Sequence, residues 1–344
     1  MNRSTFALPR RQLSTFDLAS LAPTDPPDST FAARPNRRFD RLADARRPAG
    51  VRVGALRKAR RHERARELGS SDAIEWPMNV VDRTPARQVE KLRRTVAVSI
   101  VSHGHGEDVL DLLRDLAQHA RASVARIVLT LNLPEPALEQ AAAAACAGIE
   151  LTIRRNARPL GFGTNHNAAF RDRGSVRHFA VLNPDVRLRA DPFPELCEAL
   201  LGEPRAACAY PMQTDAAGRP CNPPRPVPTP LSLLRRYLGR QEGHRLDWVN
   251  AACMLFEAEA FARLGGFDTR YRLYCEDVDI CLRLQLAGYD LIGATQTCIM
   301  HGGRRSSHAR LSHLLMHVRS LLRLWGSGAL WRYRRGVRRS PRAL

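Results

Sequence analysis

No stretch of the chain approaches the roughly 18 consecutive apolar residues that a membrane-spanning helix needs. The opening stretch, MNRSTFALPRRQLSTFDLAS, also lacks the apolar centre of a secretory signal. Both absences predict a cytoplasmic protein, with the inner face of the membrane as its one peripheral contact. The eight cysteines, Cys146, Cys197, Cys208, Cys221, Cys253, Cys275, Cys281 and Cys298, form no CxxC pair and no Cys/His zinc spacing. A zinc module and a disulfide framework are therefore excluded, and the thiols read as reduced, mostly buried small hydrophobes. Acids are missing altogether from residues 304–344, where 11 Lys/Arg stand unopposed; residues 1–94 carry 21 Lys/Arg against 11 Asp/Glu. In between, 22 basic side chains meet 23 acidic ones, so the net charge of +20 belongs to the flanks. A neutral middle between basic ends predicts a globular domain with two extensions that visit something anionic. Nucleic acid is not the expected partner, because the charge lies outside the middle and no zinc finger, helix-turn-helix or RNP-like motif occurs.

At 344 residues and 44% apolar content the chain can bury a sizeable core. Residues 1–93 are Arg-, Pro- and Asp-rich (LAPTDPPDST, RPNRRFD, RKARRHERARELG). Such a segment buries too little surface to offset ordering, so it is expected to be largely disordered, with one helix near Gly54 to Leu68. From Thr95 the texture changes. VAVSIVSHG is a β-branched run ending in turn residues, and EDVLDLLRDLAQHA places Val109, Leu112, Leu113 and Leu116 at helical spacing. Strand and helix alternate again through ARIVLTLN and an Ala-rich helix from Pro136 to Ala147, IELTIRR and NHNAAFRD, and HFAVLNPDV and FPELCEALLG. This alternation predicts an α/β fold with a mostly parallel central sheet and helices on both faces, whose ligands bind at the carboxyl ends of the strands. From Ala207 the prolines of AYPMQTDAAGRPCNPPRPVPTP predict an irregular loop. A basic helix (LSLLRRYLG), a strand (WVNAACMLFEA), a short helix (EAFARLGG), an acidic segment and a last strand (IGATQTCIMHGG) follow.

Three constellations carry candidate chemistry. Asn183-Pro-Asp185 follows the buried run FAVL, where a carboxylate sits at the ligand-binding rim and can hold a divalent cation against a diphosphate; equally, Asp185 can cap a turn. In YRLYCEDVDICLRLQLAGYDL, Glu276, Asp277 and Asp279 crowd the first turn of a predicted helix. Carboxylates there meet the helix dipole favourably at about 0.3–1 kcal/mol each. One acid satisfies that need; three repel one another and raise a pKa toward the range of a general base. His301 ends the last strand, as a structural histidine or as a ligand to metal or diphosphate.

Taken in order, VAVSIVSHG, RRNARPLGFGTNHNAAF, VLNPDVRL, the run from WVNAACMLFEA through GGFD to EDVD, and CIMHGG resemble the family 2 glycosyltransferases of GT-A fold, and among them the bacterial rhamnosyltransferase-like enzymes. The resemblance covers about residues 95–305. It implies an inverting enzyme that moves a sugar, with rhamnose the candidate, from a nucleoside diphosphate sugar to a saccharide or lipid-linked acceptor in cell-surface polysaccharide synthesis. It further implies Asp277 as general base, with Glu276 and Asp279 shaping its field and no basic residue nearby. Asp185 and His301 would hold Mg²⁺ or Mn²⁺. Ser102, His103, Asn132, Asn156, Gly161, Phe162, Asn167, Asn183 and Asp185 would line the donor site. The chain departs from the family pattern where Leu131 replaces an Asp that reads the nucleotide, where Asn183 replaces the first acid of DxD, and at Asn165-His166-Asn167 and Asn250-Ala-Ala252. Leu131 keeps open the alternative of a catalytically silent domain that binds a nucleotide sugar or serves as an assembly scaffold.

The division expected is thus a basic extension over 1–93, a GT-A domain over 94–305 and a basic helical tail over 306–344. In the tail, Leu311, Leu314, Leu315, Val318, Leu321, Leu322 and Trp325 share one helical face. That face suits an anionic membrane surface or docking on the catalytic domain.

Overall fold

The structure, a computed structural model, describes residues 94–238, 246–301 and 311–339. The expected disorder of residues 1–93 and the helix near Gly54 to Leu68 lie outside the described residues. The strands are β1 (Val96–Ser102), β2 (Val124–Leu131), β3 (Glu150–Arg155), β4 (His178–Leu182), β5 (Val186–Arg187), β6 (Ala206–Thr214), β7 (Pro220–Cys221), β8 (Cys253–Glu257) and β9 (Asp290–His301). The helices are α1 (Gly106–His119), α2 (Pro136–Ala145), α3 (Phe162–Arg171), α4 (Phe193–Gly202), α5 (Pro230–Tyr237), α6 (Ala258–Arg263), α7 (Glu276–Leu286), α8 (Leu311–Trp325) and α9 (Gly328–Arg339).

The strands form one sheet in the order β3-β2-β1-β4-β8-β6-β9-β5, with β7 paired to β6. β1, β2, β3 and β4 are parallel, β8 runs against both β4 and β6, and β9 is parallel to β6. Six strands therefore point one way, as the βα alternation predicts, and β8 is inserted against them. Both faces of β1 are covered, which is why its sequence is a continuous apolar run. Val96, Val98 and Ile100 pack with α1 (Val109, Leu112, Leu113, Leu116) and α4 (Phe193, Leu196); Ala97 enters the opposite core with Phe179, Phe261, Phe267 and α7 (Ile280, Cys281, Leu284).

One expectation is corrected. The segment read as a loop from Ala207 begins inside β6, whose residues Ala206 to Tyr210 are all buried. With both faces covered, β6 shows no alternation, and Pro211 falls at a register shift in its pairing with β9, where a missing N–H is tolerated. Of the two readings of the tail helix, docking on the domain accounts for one strip of α8 and for α9. Leu324 of α8 and Leu330 of α9 are buried with Val227, Tyr271, Cys275, Val278 and Leu282; the Trp325 indole N–H donates to Pro228 O at 2.8 Å, and the Tyr333 hydroxyl donates to Asp247 Oδ1 at 2.7 Å.

β1, β2, β4, β6 and β9 end at one sheet edge, and β8, running the other way, begins there. That edge gathers Ser102, Asn132, Asn183, Asp185, Gln213, Asn250 and His301.

Candidate active site

The turn after β4 is set by its backbone. Asn183 N–H donates to Ala252 O (2.9 Å) and Val186 N–H donates to Asn183 O (3.2 Å), so Asp185 is held on a tight bend. β5 then pairs antiparallel with β9, Val186 opposite His301. That register brings His301 Nε2 to 3.4 Å from Asp185 Oδ1. Burial alone would raise the Asp185 pKa; the hydrogen bond and charge of His301, aided by His105, outweigh it and hold the carboxyl below its usual range. His301 Nδ1 lies 3.2 Å from Gln213 Oε1, and Gln213 Nε2 donates to Asn250 Oδ1 at 2.6 Å. Glu135 fastens the β1–α1 loop to this edge by accepting from Gly104 N–H (2.9 Å) and Gly106 N–H (3.0 Å).

The three acids of α7 have different fates. Asp279 is 2% exposed and ion-paired with Arg283, Nε to Oδ2 at 2.7 Å; Arg283 also donates to Leu264 O and Gly266 O, so this carboxylate pins the Gly265-Gly266 turn. Glu276 is 5% exposed, its Oε2 has no hydrogen-bond partner, and burial together with the Asp277 charge raises its pKa. Asp277 alone keeps partial exposure. Burial pushes its pKa up to about 6, against the opposing pull of the Val278 and Ala251 N–H groups and the positive charge of Arg225. Ala251 thus touches Asp277 while Ala252 holds the Asp185 turn, so a three-residue bend joins the two carboxylates.

Arg225 overturns the expectation that no cation stands near the base. It comes from the proline-rich segment 52 residues earlier in sequence, where it bridges to Trp248, lies 5.6 Å from that ring and donates to Asn222 Oδ1 at 3.2 Å. Asn222 in turn sits 3.5 Å from His301 Nδ1. Nothing in a proline-rich stretch without periodicity marks Arg225 or Asn222 in the sequence. The helix α7 is entered through Tyr274 and Cys275, both left-handed (φ 72° and 65°). Such residues cost of order 1–3 kcal/mol each and persist where their surroundings fix them. Here α8 does so: Ser320 Oγ donates to Leu273 O (2.8 Å), Tyr274 Oη meets His313 Nδ1 (3.2 Å), and the Tyr274 ring packs on His317.

No protein-family model matches the chain. The N-acetylglucosaminyl-diphospho-decaprenol L-rhamnosyltransferase of Mycobacterium tuberculosis is 30% identical over 195 residues, 47% of this chain and 62% of that protein. Rhamnosyltransferase WbbL of Escherichia coli K12 is 50% identical over 46 residues, 13% of this chain and 17% of the relative. The mannosyltransferase PcManGT from Pyrobaculum calidifontis, solved with GDP-Man and Mn²⁺, superposes with a TM-score of 0.50 over 78% of this chain and 71% of its own, at 17% identity. The chain has a GT-A-like fold. Its homology to bacterial rhamnosyltransferases is distant, and the match spans 62% of the length of the mycobacterial relative.

Within this GT-A-like fold the residues expected to line a donor site divide. Ser102 is buried and accepts from His105 N–H, whereas His103 is exposed, its Nδ1 2.9 Å from Asn132 Nδ2. Asn132 Oδ1 accepts from Leu160 N–H and Asn156 Nδ2 (2.8 Å each), and Asn156 Nδ2 also reaches Asn165 Oδ1 at 2.7 Å. Asn132 and Asn156 therefore join an amide network that ties together the ends of β2 and β3 and the loop before α3. Gly161, Phe162 and Asn167 each make contacts within the protein. A Cβ on Gly161 would lie 2.9 Å from Arg272 O, and Phe162 packs on His166 and Phe267. Asn167 accepts from Phe267 N–H at 2.9 Å and donates to Phe267 O at 2.8 Å. His166 is buried against Ser99, and burial pushes its pKa down to about 3, so it stands neutral.

Proposed function

We propose that the chain is an inverting glycosyltransferase that moves a sugar, with rhamnose the candidate, from a nucleoside diphosphate sugar to a saccharide or lipid-linked acceptor in cell-surface polysaccharide synthesis. The carrying observation is that Asp277 is the one acid of the α7 cluster that is both partly exposed and raised to about 6, beside the turn that presents Asp185. A base with such a pKa is mostly ionised at neutral pH and still holds a proton well enough to take one from an acceptor hydroxyl. The acceptor oxygen forms its bond to the anomeric carbon as the bond to the diphosphate oxygen breaks; the proton goes to Asp277 and the electron pair leaves with the diphosphate. Arg225 supplies positive charge on the same side of the site and keeps Asp277 from being neutralised.

Asp185 and His301 fit a divalent cation in part. The carboxyl is held ionised, with an imidazole nitrogen 3.4 Å away, while among the described residues no group of three His, Cys, Asp or Glu is placed to hold a metal. Donor oxygens and water would complete such a shell. Mg²⁺ or Mn²⁺ bound there would supply Lewis-acid stabilisation of the diphosphate. The relatives' printed names support the sugar and the lipid-linked acceptor, and PcManGT and GalNAc-T7 were solved with Mn²⁺.

The test is thermal shift of wild type and Asp277→Asn against dTDP-rhamnose, UDP-sugars and GDP-sugars with and without Mn²⁺, followed by transfer assays. The expected outcome is a shift with one donor family in both proteins, and a loss of turnover of about 10²–10⁴-fold in the variant. No shift and no transfer by wild type would replace this reading with the silent scaffold, to which the buried, apolar Leu131 points.

A further inference from the structure

We propose that α5, α8 and α9 form a docking surface for an anionic membrane. α8 carries two apolar stripes. One, Leu321, Leu324 and Trp325, is packed on the catalytic domain. The other, Leu314, Leu315, Val318 and Leu322, is 57%, 62%, 44% and 60% exposed. α5 adds exposed Leu231 and Leu234, with Leu238 just past its end, and α9 adds Trp331, so eight of the ten exposed large hydrophobics among the described residues lie in or directly beside these three elements. A helix whose apolar arc extends beyond the strip packed on the domain calls for a second partner. The catalytic domain supplies the first.

Charge identifies the second. Arg235, Arg319, Arg332, Arg334 and Arg335 are exposed around these stripes, and residues 304–344 contain no acid. A second copy of the chain would set this cationic surface against itself across a twofold axis, placing like charges together. A layer of anionic headgroups matches both features: leucines enter the boundary between headgroups and acyl chains, while arginines remain at the level of the phosphates. The position also suits the site, because α8 is the element that holds Leu273 and Tyr274 in the strained entry to Glu276 and Asp277. A sugar acceptor carried on a lipid would reach the base along the face that meets the bilayer.

The experiment is co-sedimentation of the full chain with vesicles of phosphatidylcholine alone and of phosphatidylcholine with phosphatidylglycerol at about one part in three. The comparison protein is Leu315→Glu/Leu322→Glu, whose changes are exposed and leave the fold intact. Wild type is expected to sediment with the mixed vesicles and not with the neutral ones, and the double variant to bind them at least about tenfold more weakly at an unchanged melting temperature. Binding that the variant does not weaken would overturn the proposal, since the basic extensions alone would then account for it. So would failure of wild type to bind, and so would a dimer, seen by light scattering, that the variant converts to monomer without vesicle binding. Donor thermal shift is read separately, so failure of the membrane surface and failure of the transferase reading are distinguishable.

Discussion

Asp277 and Arg225 form a couple in which each side chain limits the other. Burial raises the carboxyl pKa, and the guanidinium, brought by a segment far away in sequence, draws it back. The active form of a general base is the deprotonated one, so kcat/KM should fall as pH drops through about 6 and hold above it. In Arg225→Gln the cation is gone and the carboxyl pKa rises, so the acid limb of the profile moves to higher pH while Arg225→Lys restores it in part. A limb that does not move would mean that Arg225 serves only to hold Asn222 and Trp248. At this scale the sequence exposed the acids, because three carboxylates in one helical turn are conspicuous. It concealed the cation, because proximity through a proline-rich loop has no period. It also concealed which acid stays open, which depends on Arg283 reaching back to Asp279 one turn along α7.

α3 shows how one motif supports two readings. GFGTNHN resembles a donor-binding turn, yet its glycines and Asn167 lie against the segment from Phe267 to Arg272. Asn167 satisfies both the N–H and the C=O of Phe267, and Gly266 beside it is left-handed, with no room for a Cβ against Asn167 Oδ1 and the Phe261 ring. Asn167→Ala strands two backbone groups and should destabilise the protein by about 2–4 kcal/mol, at roughly 1–2 per unsatisfied group. Donor KM should stay unchanged. A raised KM at an unaltered melting temperature would restore the ligand role. The strands that alternate with helices were legible because each obeys its own periodicity; β6 was not, since burial on both faces removes alternation and Pro211 imitates a loop.

Across the whole molecule the charge map and the packing map do not coincide. Charge divides the chain near residue 305, whereas packing continues through α8 and α9, which close a core of Val227, Tyr271, Cys275, Val278 and Leu282 with Leu324 and Leu330. A chain ending at residue 305 would expose that core and release Leu273 and Tyr274 from Ser320, His313 and His317. The smaller change Leu324→Ala should lower stability by about 2–5 kcal/mol, the usual consequence of emptying a fully buried leucine site. Because the cavity opens beside Tyr271 and Cys275, turnover at a temperature where the variant is still folded should fall more than donor binding does. Equal stability of Leu324→Ala and wild type in urea unfolding would show that α8 is an appendage. Lost stability together with lost turnover would show that α8 is part of the folded domain and holds the Leu273–Cys275 entry to Asp277 in place.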